Sequence, residues 1–157
     1  MRDHRLEALA ASPKIVERVL RVFPRDRYDE RPHHESLTCR EIFALLSDTE
    51  EIVLDRIRTA NRTPGSTVAW YEPEIRARDR HYAGKEPFHE AEVFESRRQM
   101  TIEYLEALGP EDFAKTVTLD GHGTFTVDDY IVLVIAHDVS RIAELTEFLA
   151  NEAATIG

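Results

Sequence analysis

The sequence predicts an all-α protein, a four-helix bundle with a long crossover between its second and third helices. Three observations favour this fold class. Apolar residues recur at spacings of three and four along four segments of the 157-residue chain. Capping motifs or prolines mark where these segments begin and end. No internal repeat and no linker rich in Gly, Ser and Pro divides residues 1–157, which are therefore expected to form a single domain.

The first predicted helix covers about residues 3–23 and is stopped by Pro24. Within it, Ser12 and Pro13 form the pattern of a helix N-cap followed by proline at the first helical position. We therefore expect a short turn of helix to end there and a longer helix to begin.

The second predicted helix has the clearest start signal in the chain. Thr38 and Glu41 have the spacing of a capping box, and Leu37 and Ile42 occupy the positions of its hydrophobic staple. The apolar stripe then continues to the region of Asn61, where Pro-Gly follows soon after.

The long crossover spans residues 61–87 and contains the single tryptophan, Trp70. Because a short loop would force consecutive helices to be antiparallel, this length predicts that the second helix runs parallel to the third and antiparallel to the fourth. A short helix from about Pro73 to His81 is expected within the crossover. A connection of this length inside one domain is usually functional or covers something, so Trp70 is predicted to pack over the mouth of the bundle, largely buried.

The third predicted helix runs from about Pro87 to Leu108 and is followed by Gly-Pro, a strong stop signal. Residues 115–126 alternate in a way that predicts a small hairpin or extended loop. The fourth helix begins at Thr126 and reaches about Ala150, with two broad apolar stripes that indicate burial over much of its circumference.

Composition limits the partners that this chain can have. Twenty Lys and Arg residues oppose thirty Asp and Glu residues, a formal charge of −10, which disfavours nucleic acid and anionic membrane surfaces. The longest apolar run, Tyr130 to Ala136, is far shorter than the roughly 20 residues that cross a bilayer. With one cysteine and no apolar leader segment, a cytoplasmic location is expected.

His137 and Arg141 lie one turn apart on the core-facing stripe of the fourth helix. A buried guanidinium needs an anionic partner, so the pair could line a pocket for an anionic or polar small molecule. Equally, His137 could be an ordinary hydrogen-bonded core residue while Arg141 extends to water at the bundle end. The pattern alone leaves both interpretations open.

Two other candidate sites are weaker. Glu86 and His89 have the Glu-x-x-His spacing of di-iron bundles, but that chemistry needs a second copy, which the sequence lacks. Cys39 lies in the first turn of the second helix, where the helix dipole lowers a thiol pKa. It has no evident catalytic partner, so we interpret it as a small, partly buried residue.

The order and spacing of these elements resemble the DinB-like superfamily. The segment from Leu37 to Glu50, LTCREIFALLSDTE, is similar to its second-helix signature W-S-x-x-E-x-x-x-H-L-x-D-x-E. The segment from His137 to Leu145 is similar to the family ending H-D-x-x-H-x-x-x-[IL]. The resemblance covers nearly the whole chain and implies a four-helix bundle.

In that family three histidines bind a divalent metal, usually zinc or nickel. The resemblance places Leu45, His137 and Arg141 at those three positions. Leucine cannot ligate a metal, and arginine brings a permanent positive charge to the place of the cation. The resemblance therefore implies that the three-His metal site is lost and that no metal cofactor is bound.

An antiparallel pairing of the second and fourth helices would place Leu45 opposite the interval between His137 and Arg141. Glu41 and Asp48 lie one turn to either side of Leu45, so we expect Arg141 to pair with one of these carboxylates. Together with Trp70, these residues are the predicted lining of the pocket.

Family members include metal-dependent thiol transferases, thiol-dependent isomerases and hydrolase-like proteins. We favour a small-molecule-binding or scaffold member without the metal site, forming a symmetric homodimer. One alternative is a metal-dependent thiol S-transferase or hydrolase-like enzyme whose missing ligands come from Asp48, His81, His89 or His122. The other is a metal-free enzyme that uses His137 as a general base, with its pKa depressed by Arg141.

Overall fold

The computed structural model describes residues 3–156, and side chains up to residue 151. Its helices and strands are α1 (His4–Val22), α2 (Cys39–Arg62), β1 (Ser66–Val68), α3 (Pro73–Asp79), α4 (Pro87–Glu106), β2 (Thr116–Leu119), β3 (Gly123–Thr126) and α5 (Val127–Ile156). The four predicted helices are α1, α2, α4 and α5, which confirms the all-α bundle. Within the described residues, no helix combines the length and the apolar character needed to cross a membrane.

Helices α2 and α4 run in the same direction, as predicted from the long crossover. Near the start of both helices the hydroxyl of Ser47 donates a hydrogen bond to Glu90. Near their ends the amide of Asn61 donates to the hydroxyl of Tyr104 at 2.9 Å. The second contact lies nearer the C-terminus than the first on both helices, so the two helices are parallel.

Helices α2 and α5 run in opposite directions, which was also predicted. Glu50 and Asp138 both bind the guanidinium of Arg98. Further along α2, Arg56 donates to the hydroxyl of Tyr130, which lies earlier in α5. The pairing of α2 with α5 builds the wall on which the candidate site forms.

The predicted capping box starts α2. The Thr38 hydroxyl accepts from the backbone N–H of Glu41 at 3.1 Å, and the Glu41 carboxylate accepts from the Thr38 N–H at 3.1 Å. Leu37 and Ile42 are both buried, as a hydrophobic staple requires. Glu41 is thereby committed to the helix end.

Helix α1 is continuous through Pro13, so the prediction of a separate preceding turn was wrong. Proline cannot donate to the carbonyl of Leu9, the acceptor one turn earlier. A guanidinium N–H of Arg98, on α4, donates to that carbonyl at 2.9 Å instead. The hydroxyl of Ser12 donates back to Ala8 at 3.4 Å and does not cap a new helix. A tertiary hydrogen bond thus replaces the missing helical one.

The predicted hairpin is present as β2 and β3, with a turn in which Gly121 and Gly123 have positive φ angles of 76° and 107°. The crossover adds β1, which was not predicted and pairs parallel to β2. The backbone N–H of Asp120 donates to the carbonyl of Val68 at 2.9 Å. The start of the crossover is therefore tied to the hairpin, just before Trp70.

Candidate functional site

A cavity of about 110 Å³ lies between α2 and α5, with the crossover as part of its wall. The α2 side is one helical face that runs from Leu46 to Arg56, and the α5 side runs from Tyr130 to Asp138. Trp70 and Tyr71 contribute the crossover wall, and α4 contributes Arg98. His137 and Trp70 are among the residues that line this cavity.

Arg56 is the most unusual group in this wall. Its side chain is only 5% exposed, and it donates to the backbone carbonyl of Ala69 at 3.0 Å and to the Tyr130 hydroxyl at 3.3 Å. The guanidinium carbon lies 5.4–5.9 Å from the ring centroids of Trp70, Tyr71 and Tyr130. Among the described side chains, no carboxylate pairs with it. Arg56 is thus a buried positive charge held by neutral groups.

Arg98 has the opposite environment. Its guanidinium makes two hydrogen bonds to Glu50 (2.8 and 2.9 Å) and two to Asp138 (2.7 and 3.0 Å), and all three side chains are about 2% exposed. Burial raises the pKa of Glu50, although the charge of Arg98 acts against this shift. Both carboxylates of the cavity wall are therefore occupied by one cation.

His137 lines the cavity, and its surroundings lower its pKa, which favours the neutral imidazole. Burial is the largest cause that lowers its pKa, and the neighbouring charge of Arg141 lowers it further. The sequence interpretation had named only Arg141 as the cause.

Arg141 does not bind Glu41 or Asp48, so that prediction was wrong. Its guanidinium lies 3.2 Å from the carboxylate of Glu144, which is three residues further along α5. Glu41 serves the cap of α2. Glu144 lies within one turn of Arg141 on the same helix, so this ion pair does not depend on how α2 packs against α5.

Asp48 lies on the far side of α2 from the cavity, because two residues of α-helix rotate a side chain about 200° from Leu46. Its carboxylate accepts hydrogen bonds from Arg76 (2.5 Å) and from the hydroxyl of Tyr82 (2.5 Å), and it lies 3.2 Å from Arg80. Although burial raises its pKa, these partners outweigh burial and lower it overall. The short α3 region supplies these partners, so Asp48 holds the crossover in place.

Leu45 is fully buried in the core and does not line the cavity. Of the six predicted pocket residues, only Trp70 and His137 contribute to this cavity. The residues at the implied metal positions do not fit a three-His site, because Leu45 has no donor atom and Arg141 is a cation.

Trp70 lies in the cavity wall beside α5, but it is not largely buried, so that prediction was wrong. Its side chain is 39% exposed, with one face stacked on the imidazole of His122 at a centroid distance of 3.7 Å. Its neighbour Tyr71 also stacks on it, at 5.8 Å. The tryptophan packs against the hairpin turn, so the bundle core covers only part of it.

The alternative metal ligands divide between two places. Asp48, His81 and His89 line a second cavity of about 400 Å³, on the α3 and α4 side of α2. His122 stacks on Trp70 instead. Within the part of the chain that the structure describes, no group of three His, Cys, Asp or Glu residues is arranged to hold a metal ion.

Cys39 is completely buried, and burial raises its pKa to about 12. Burial therefore outweighs the helix dipole that was expected to lower the thiol pKa. A buried protonated thiol is inert, so Cys39 is a small residue of the core, more deeply buried than the partly buried position expected from the sequence.

Sequence reasoning missed the roles of Arg56, Arg98 and their aromatic neighbours. A signal was present, because Arg56 follows Val53 on the buried face of α2, and Arg98 follows Phe94 by one turn on the stripe of α4. A charged residue at a core position of an amphipathic helix requires a specific partner.

Comparison with known proteins supports the architecture. A model of the DinB superfamily matches residues 8–145 of the chain. Among solved structures, the chain is similar to one from Bacillus subtilis, YfiT, described as "a probable metal-dependent hydrolase with an unusual four-helix bundle topology". The TM-score is 0.90 at 15% identity, covering 96% of this chain and 87% of that one, so the likeness is one of fold. No curated protein sequence matches the chain.

Proposed function

The chain belongs to the DinB superfamily, and from this premise we propose that it is a small-molecule-binding member whose cavity works without a three-His metal site. One observation carries the proposal: of the three positions that the family uses for ligands, only His137 faces the cavity. Leu45 belongs to the core, and Arg141 is held by Glu144. The group that remains is a neutral imidazole beside buried aromatic rings.

The cavity has the usual character of a small-molecule site. Such sites combine apolar and aromatic walls with a few fixed polar groups. Here Leu46, Val53 and Val134 supply apolar surface, while His137 and Arg56 supply polar atoms. The neutral His137 can accept or donate a hydrogen bond to a bound molecule.

Elemental analysis of protein purified without a His-tag tests the metal-free part of the proposal. We expect no stoichiometric zinc, nickel or iron. The double variant Leu45→His, Arg141→His serves as the positive control, because it restores three imidazoles at the family positions and should bind zinc. Stoichiometric metal in the unaltered protein that disappears in His137→Ala would overturn the proposal.

The binding part needs a separate measurement. Ligand-observed NMR with a library of neutral, acidic and basic fragments should detect fragments that bind to the unaltered protein. Leu133→Trp, a substitution in the cavity wall, should abolish their binding. Exposed Val132, the next residue on α5, provides the matched control, Val132→Trp. If no fragment binds, or if the control displaces the binders equally, the chain is a scaffold and the proposal fails.

A metal-dependent hydrolase or thiol S-transferase is the second candidate. The likeness to YfiT favours it. Asp48, His81 and His89 line the second cavity, but among the described residues they are not arranged to hold a metal ion. The full engagement of Asp48 by Arg76 and Tyr82 weighs against it. This candidate predicts stoichiometric metal that His89→Ala removes and His137→Ala retains.

A further inference from the structure

We propose that the ligand of the cavity between α2 and α5 is a small monocarboxylate, and that its acid group pairs with Arg56. This inference rests on the proposed small-molecule function and names the chemical class of the ligand. It follows from the charges of the wall, from the aromatic groups around Arg56 and from the size of the cavity.

The charges of the wall are balanced unequally. Arg98 already holds both wall carboxylates, Glu50 and Asp138, with four hydrogen bonds of 2.7–3.0 Å. Among the residues that the structure describes, the acceptors of Arg56 are a backbone carbonyl and a phenol. The four charges of the wall, Arg56 and Arg98 with Glu50 and Asp138, sum to zero. Arg56 nevertheless contacts no carboxylate among the described side chains, so an anion at the cavity would give its guanidinium a charged acceptor.

The aromatic groups exclude the opposite charge. Trp70, Tyr71 and Tyr130 surround Arg56 at 5.4–5.9 Å, so the faces that would bind a ligand ammonium are already occupied by the guanidinium of the chain. A cationic ligand would therefore meet the positive charge of Arg56 where it could otherwise stack on an aromatic face.

Geometry favours a carboxylate over a larger anion. A guanidinium presents a planar fork of N–H groups that matches the two oxygens of a carboxylate, one charge against one charge. A cavity of about 150 Å³ holds a benzene molecule, so this one, at about 110 Å³, suits an apolar body of four or five carbon atoms. Leu46 and Val134 provide the surface for that body.

The single tryptophan makes the proposal directly measurable, because Trp70 lies in the cavity wall. Tryptophan fluorescence is titrated with isovalerate, with its neutral isostere isovaleramide, and with isoamylamine, none of which absorbs in this range. We expect saturable binding of isovalerate, about 10- to 100-fold weaker binding of the amide, as befits loss of a charge-assisted hydrogen bond, and no binding of the amine.

Substitutions of Arg56 test whether this residue binds the acid group of isovalerate. Arg56→Met keeps the length and apolar stem, and should weaken isovalerate binding about 10- to 100-fold while leaving the amide unchanged. Arg56→Lys should recover part of the loss, because it retains the charge without the fork. Arg62→Met, at an exposed arginine of the same helix, should bind like the unaltered protein.

Each adverse outcome has one meaning. Equal affinity for isovalerate and isovaleramide in the unaltered protein overturns the proposal even if Arg56→Met fails to fold. So does unchanged isovalerate binding by a folded Arg56→Met. Tighter binding of isobutyl phosphate than of isovalerate overturns the carboxylate assignment. Fragments that bind in the NMR screen without any acid among them defeat this inference alone, and the absence of all binders defeats the proposed function as well.

Discussion

Replacing Arg98 by methionine should be the most damaging single charge removal in this bundle. Methionine has a similar length and fills the space, so the change removes mainly the charge and the donors. Glu50 and Asp138 would lose their shared partner inside the protein, and the carbonyl of Leu9 would lose the donor that replaces the N–H of Pro13.

Breaking a buried ion pair by removing one partner costs about 3–5 kcal/mol, because the remaining charge stays desolvated. Two carboxylates and one carbonyl are stranded here, so a loss of about 4 kcal/mol or more is expected. Since domains of this kind are stable by about 5–15 kcal/mol, Arg98→Met should be barely folded near neutral pH.

The pH dependence identifies the cause. Burial already raises the folded-state pKa of Glu50 above its ordinary value of 4.5, and loss of Arg98 raises it further. Below that raised pKa the folded protein binds more protons than the unfolded chain, so its stability increases as the pH falls toward 4.5. The stability deficit of Arg98→Met should therefore shrink between pH 7 and pH 5.

Urea unfolding followed by circular dichroism at several pH values measures this deficit. Arg97→Met is the matched control, because Arg97 is a half-buried neighbour that binds Glu51 and the carbonyl of Ser47, and its loss should cost about 1 kcal/mol. Combining Arg98→Met with Glu50→Gln and Asp138→Asn should recover part of the loss. A deficit below about 1 kcal/mol, or one that does not depend on pH, would refute the reasoning.

Three further predictions concern His137, Trp70 and the assembly. Because burial lowers the pKa of His137 below 6.5, protonation of this residue opposes folding. The free energy of unfolding should therefore fall as the pH drops below 6.5, and urea titrations of His137→Leu should show a smaller decline. With 39% of its side chain exposed, Trp70 should be partly quenched by iodide; emission fully protected from iodide would contradict its position. The expected homodimer should appear in sedimentation at high micromolar concentration. Val139→Asp, which alters an exposed apolar residue of α5, should weaken the association, and an 18.1 kDa species of the unaltered protein at that concentration would exclude the dimer.

Local signals account for the parts of the fold that the sequence predicted. The capping residues Thr38 and Glu41 act within four residues of each other, so the start of α2 could be placed from the sequence alone. The interruption expected at Pro13 was wrong because the compensating donor, Arg98, comes from a different helix. Strand β1 was missed for the same reason, since its partner lies far along the chain.

The sequence could predict which helix face a site residue occupies, but not which partner its side chain binds. Periodicity placed His137 on an inward face, and it lines the cavity. It could not show that Arg141 would take the carboxylate of Glu144, three residues away on its own helix. Asp48 was expected to compete for Arg141, but α3 brings Arg76 to it, and the packing of that crossover cannot be derived from spacing.

Arg56 and Arg98 show how one residue type at core positions can serve two purposes. Each is an arginine on the buried face of a helix, a position that disfavours a charge. Arg98 has two carboxylates, so its charge is satisfied within the fold and its removal should cost stability. Arg56 has neutral acceptors, so its removal strands no carboxylate and should cost binding more than stability. If Arg56→Met unfolded the protein as severely as Arg98→Met, Arg56 would be a structural residue, and the assignment of the cavity to an anionic ligand would lose its main support.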